Sequence, residues 1–183
     1  MEIILTFEGR IPAQRSDMGL IWEMRSAFSE QLRKVWGKAP FDVLKRWEDT
    51  NFSAGAPKFI RSTGGHTFVP IYGRNVGVGV DLDITLLTGM PDQKPVLSAG
   101  DLDNRIKRII DGLRIPKGHG ELLAELPPAG RWYCLLEDDD AVLSLQARLG
   151  AYLGSDDPSV SFAVIRVRPH AIAVTQSNLA MLF

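Results

Sequence analysis

The longest alternating stretch in the chain runs from Val76 to Leu87, and it constrains the fold more than any other segment. Val78, Val80, Leu82, Ile84 and Leu86 fall on one side of an extended backbone, with Asp81, Asp83 and Thr85 on the other. A strand of that length with one apolar and one wet face demands a sheet covered on one side only. The same period of two recurs at Glu2 to Glu8, Leu143 to Ala151 and Ser161 to Val167. Leu143 to Ala151 is leucine-rich, yet its spacing is that of a strand. Ser155-Asp156-Asp157-Pro158 supplies turn residues before the last strand and predicts an antiparallel hairpin there.

Two segments change to the helical period. Behind Ser16-Asp17, residues Leu20, Ile21, Met24, Phe28, Leu32 and Val35 recur at three and four up to Gly37. Ile106, Ile109, Ile110 and Leu113 do the same behind Asp101-Leu102-Asp103-Asn104. A weaker helix is expected over Phe41 to Glu48, and loop or hairpin over 51–75. The pattern predicts one α/β (α+β) domain over 1–183: a single mixed sheet with helices packed on it and a closing antiparallel hairpin. A loop is expected at 114–136 and a C-terminal arm at 170–183.

With 183 residues, 45% hydrophobic and 23% charged, the chain can bury a core, which excludes disorder and stapled miniproteins. Its formal charge is −1, so any attraction to nucleic acid must come from uneven placement. Residues 1–75 hold 11 basic and 8 acidic side chains, and residues 76–183 hold 10 and 14, so the acidic half is where a cation site is sought. Cys134 has no disulfide partner and sits in an apolar run, as a small buried residue would. The opening MEIILTFEGR is too briefly apolar for a signal peptide, and no window suits a membrane span. A cytoplasmic location without membrane is the expectation.

Two acidic elements flank the second long helix: Asp101-Leu102-Asp103-Asn104 with Lys107 and Asp111, and the run Glu137-Asp138-Asp139-Asp140. In extended backbone Asp101 and Asp103 would project to one side about 6.5 Å apart. Carboxylates gathered about 4 Å apart repel by roughly 4 kcal/mol at an effective dielectric near 20, so a cluster needs a counter-ion. Oxygen donors alone point to Mg²⁺, with Mn²⁺ as substitute. Such parts serve phosphodiester hydrolysis. Singly, each has a plainer reading: Asp101 or Asp103 as helix cap, Lys107 on a solvated face, Glu137 to Asp140 as an acidic loop. Lys58, Phe59, Ile60, Arg61, His66, Tyr72 and Arg74 interleave cations with aromatics, a composition suited to phosphates and exposed bases or to an ordinary anchored loop. His66, His119 and His170 lack zinc-ligand spacing.

Gly100-Asp101-Leu102-Asp103-Asn104, Lys107, Asp111-Gly112-Leu113 and the later Asp139-Asp140-Ala141-Val142 together resemble the signature of RusA-type endodeoxyribonucleases, the Holliday junction resolvases often carried by prophages. The order of strands and helices is similar too, over about 120 residues by the matching elements. The resemblance implies a RusA-like fold and Mg²⁺ held by Asp101, Asp103 and Asp140, with Asp139 the alternative in that register. It implies Lys107 at the scissile phosphate and Asn104 orienting a ligand, with Arg108 beside them at the DNA, whereas Lys58, Arg61 and Arg74 of the basic-aromatic segment are expected to stand in for the DNA-contacting arginines that this chain lacks. It further implies a homodimer acting on branched, four-way DNA in recombination and repair. The chain departs from that family in its long stretch from Arg114 to Leu136 and in having Pro95 to Gly100 where arginines are usual.

Two other readings compete. Asp81-Leu82-Asp83-Ile84-Thr85 resembles the DxDxT nucleophile motif of haloacid-dehalogenase-type phosphatases, although Ile84 onward prolongs the strand where that motif requires a turn. A RusA-like module that binds DNA or protein without cutting is the other.

Overall fold

The computed structural model describes residues 2–12, 17–48, 59–89, 101–123, 130–175 and 178–182, the side chains of 46–48, 101 and 180 excepted. The expected class holds: the chain is a mixed α+β fold. Strand β1 (Ile3–Gly9) leads to helix α1 (Met18–Arg33) and a 3-10 segment over Phe41–Glu48. The hairpin β2 (Arg61–Thr63) and β3 (His66–Tyr72) precedes the long β4 (Val78–Thr88). Helix α2 (Asp101–Leu113), β5 (Arg131–Leu136), β6 (Val142–Ala151), β7 (Ser161–Ala171) and a short α3 (Leu179–Leu182) complete the chain.

The strands form two sheets rather than the expected one, ordered β1-β7-β4-β6 and β2-β3-β5. The second arises because 131–136, within the expected loop, is a strand that pairs parallel with β3. The closing hairpin is also rearranged. β6 lies parallel to β4 on one side, and β7 lies antiparallel to β4 on the other. A crossover through α2 delivers β6 in the parallel sense. β7, whose Ala163, Ile165 and Val167 are fully buried, then takes the central slot, while β6, half-exposed to exposed throughout, is left at the edge.

Burial follows the periodicities. In β1, Ile3, Leu5 and Phe7 alternate with exposed neighbours, and in β4 the row from Val78 to Leu86 is buried. Helix α1 lays Ile21, Met24, Phe28 and Leu32 on that layer, with the Phe28 ring 6.1 Å from that of Phe7. Each fully buried aliphatic or phenyl side chain contributes about 1.5–3 kcal/mol. Gly112 lets α2 close on α1, since a Cβ there would stand 3.4 Å from that of Met24.

The chain after β7 turns back onto the start of β4. Buried Asn178 donates to the carbonyls of Val76 and Ala173, both at 2.7 Å, and accepts from the Thr175 amide. Gly77 permits this fold-back: its φ is 70°, and an added Cβ would lie 2.7 Å from the Ala173 carbonyl oxygen. Among the described residues no helix is long and apolar enough to cross a membrane.

Candidate functional site

The second acidic element begins where β5 ends. Ile115 donates to the Leu136 carbonyl and Glu137 to that of Tyr72, so the run leaves the sheet between the end of α2 and the end of β3. Glu137 is 4% exposed and receives Arg61 at 2.9 Å, the Asn75 side-chain amide and the Asn75 backbone amide. Gly73 makes room for it, since a Cβ at that position would lie 2.5 Å from the carboxylate. Asp138 accepts from the Asp139 amide and so caps the 3-10 turn Asp139–Ala141, after which β6 begins.

Each carboxylate of the run has a basic partner. Lys117 Nζ stands 3.2 Å from Asp138 and 3.1 Å from Asp139, and Arg74 Nε lies 2.7 Å from Asp140. Partial burial pushes the Asp138 carboxyl up, but the Asp139 amide and Lys117 outweigh it and hold it below the usual range. Hydrogen bonds to Asp139 and Asp138 raise the Lys117 ammonium. The charge balance expected from a metal is thus supplied here by Arg61, Lys117 and Arg74. The sequence gives no local sign of it, because those cations come from three separate segments.

The first acidic element is the opening of α2. Asp101 and Asp103 are both already helical, so the extended geometry that would set them on one side does not apply. Asp103, Asn104 and Lys107 are exposed, and Asp103 and Lys107 share a face at i and i+4. Arg108 corrects an expectation. It is 8% exposed and donates to Asp111 at 2.6 Å, so it is a structural residue and not one displayed to DNA. Asp111 also receives Arg114 at 2.7 Å, and Arg114 reaches Glu121 at 2.9 Å. Arg25, 1% exposed, joins this network through the Asp111 carbonyl at 2.5 Å and lies over Trp22, 4.5 Å from the ring centroid. Burial pulls its guanidinium below the ordinary value.

The basic-aromatic segment divides. Phe59, His66 and Tyr72 are buried, which removes them as stacking platforms for bases. Arg61 and Arg74 are partly exposed at the acidic turn, and Lys58 lies outside the described residues. Asp81 and Asp83 sit within β4, seven and five residues before its end, not at a turn. They line a shallow cavity of about 60 Å³ with Ser144, Gln146, Arg166 and Arg168. His170 contacts Asp81 at 2.8 Å, and the Arg148 hydrogen bond at 2.5 Å keeps the Asp83 carboxyl low. Mid-strand backbone and occupied carboxylates do not suit a phosphatase nucleophile.

The two acidic elements do not meet within one chain. Arg105, in the first turns of α2, donates to the Ile11 carbonyl just past β1, at the end of the sheet where Gly9, Ser161 and Thr88 lie side by side. The acidic turn is at the opposite end, where Val142 pairs with Val80 and Arg74 holds Asp140. Helix α2 alone spans about 18 Å between them at its normal rise. Among the described residues no three His, Cys, Asp or Glu side chains are grouped to hold a metal. Comparison with protein-family models, curated proteins and solved structures finds no match for this chain.

Proposed function

We propose that the chain is a RusA-like, metal-dependent endodeoxyribonuclease that hydrolyses phosphodiesters in branched DNA, as a cytoplasmic homodimer serving recombination and repair. The observation that carries this reading is the exposed pairing of Asp103 and Lys107, one turn apart on the opening turns of α2, within the Asp-Leu-Asp-Asn motif. An exposed acidic turn then opens β6 in the order the motif requires. In this reading the Lys107 ammonium neutralises a phosphate and the Asn104 amide orients it. Arg61 and Arg74, at the rim of the acidic turn, meet the DNA backbone.

Mg²⁺ or Mn²⁺ on Asp101, Asp103 and Asp139 or Asp140 belongs to the same proposal. The donor set of a single chain does not fit such an ion, because its two halves stand at opposite ends of the sheet. The cations covering Glu137 to Asp140 favour the second reading, a RusA-like module that binds without cutting.

Nicking of a four-way junction and of linear duplex, with Mg²⁺ and with chelator, separates the two. Metal-dependent cutting of the junction is expected, and Asp103→Asn should abolish it while leaving DNA binding intact. Lys107→Ala should slow cutting about 10²-fold, the loss typical of one electrostatic contact, with an unchanged melting temperature. Binding without cutting in the wild type selects the module.

A further inference from the structure

Among the described residues Arg25 is the most deeply buried cation, and its hydrogen bonds are incomplete. Nη2 donates to the Asp111 carbonyl at 2.5 Å and reaches the Arg114 carbonyl at 3.5 Å, while Nε and Nη1 meet no acceptor on the protein. An arginine keeps its proton, so it cannot relieve the mismatch by becoming neutral. Trp22 covers one face of the guanidinium, but a ring on the face leaves the hydrogens along the edge unmatched. Buried donors in folded proteins almost always find a partner, either protein or ordered solvent.

A cavity of about 10 Å³ adjoins this side chain, lined by Met18, Ile21, Arg25, Asp111 and Glu121. That volume is close to the least that holds one water. The lining also supplies what a water requires, donors on Arg25 and acceptors on two carboxylates. The Asp111 carboxylate accepts from Arg108 at 2.6 Å and from Arg114 at 3.1 and 2.7 Å, which leaves room within the roughly four bonds a carboxylate can take. A small anion would suit Arg25 but would stand against Asp111 and Glu121 at short range. The lining therefore selects a neutral molecule that both accepts and donates.

We infer that this cavity is a binding site for one structural water, which accepts from Arg25 and donates to the Asp111 carboxylate. The water ties α1 to the end of α2 beside the stretch from Arg114 onward, where the chain departs from the RusA pattern. That stretch is held on α1 at a second point: the Glu121 carbonyl accepts from Trp22 Nε1 at 2.8 Å. The Glu121 carboxylate in turn holds Arg114 at 2.9 Å and the Lys117 amide at 3.0 Å. Trp22 and Arg25 lie three residues apart on α1, so one face of the helix grips the added stretch directly through the indole and through the water at the guanidinium. The site does not depend on the nuclease reading.

A crystal structure that resolves ordered solvent tests the site: one water is expected within hydrogen-bond distance of Arg25 Nε or Nη1 and of an Asp111 carboxylate oxygen. In solution, the isotope-labelled wild type should show rotating-frame Overhauser cross-peaks from water to the Arg25 Nε proton and to the Ile21 methyl groups, with the sign of dipolar contact and not of proton exchange. Arg25→Met, whose unbranched chain keeps much of the packing, should lose the Ile21 cross-peak. Survival of that peak in the variant would remove Arg25 from the site. The wild-type measurements stand whether or not the variant folds. Arg25 bonded at Nε and Nη1 directly to protein acceptors, with neither an ordered water nor the cross-peaks, overturns the proposal. A crystal soaked in bromide should show no anomalous peak in the cavity, and a peak there would replace the water with an anion.

Discussion

Arg114 ties together more of this molecule than any residue of the acidic motifs. Its guanidinium joins Asp111 at the end of α2 to Glu121 and to the Ile115 carbonyl, and it is only 4% exposed. Removing one member of a buried ion pair leaves a charge without compensation, so Glu121→Gln should lower stability by about 3–5 kcal/mol in urea titration. Asp138 makes a smaller, pH-dependent contribution. Its carboxyl is held low by the Asp139 amide and Lys117 against the effect of partial burial, so the stabilisation is present above the ordinary carboxylate pKa and is lost as pH falls through the depressed folded value. Asp138→Asn should therefore flatten the acid limb of the stability profile, and an unchanged limb would count against the Lys117 contact. These pairings were opaque in the sequence. Arg108, Asp111 and Arg114 read equally well as a solvated helix face, and only the packing of α1 against α2 buries them.

At the level of elements, periodicity was a dependable guide and partnership was not. The alternation in β1, β4 and β7 and the three-four spacing of α1 and α2 reappear as buried rows. Leu143 to Ala151 is a strand despite its leucines. What alternation cannot encode is which strand lies beside which, so β6 and β7 read as a hairpin although β4 separates them. β5 was hidden in the expected loop because Trp132 to Leu136 is apolar on both faces and shows no period. The turn after β7 hinges on one amide: Asn178→Ala would strand the Val76 and Ala173 carbonyls, and its urea midpoint should fall by the equivalent of about 1–3 kcal/mol.

For the molecule as a whole, the charge asymmetry of the sequence dissolves into local neutrality. Basic residues of the first half, Arg61 and Arg74, sit on acidic residues of the second, Glu137 and Asp140. The polar face of the four-stranded sheet repeats this, with Arg166 and Arg168 on Glu2, Arg148 on Asp83 and His170 beside Asp81. The motif residues were legible one by one, but their separation was not, because it depends on α2 packing along α1, from Arg105 at Ile11 to Ile115 at the end of β5. Among the described residues, β6 carries an apolar row that the molecule leaves open, with Leu143 and Leu145 each nearly half exposed.

Cys134 is 1% exposed, and burial pushes its thiol up to about 12. It is the only native sulfhydryl, so maleimides and mild oxidants should leave the untreated protein alone. Any cysteine engineered onto the surface then becomes a unique attachment point, ready for spin or fluorescent probes without prior removal of the native one.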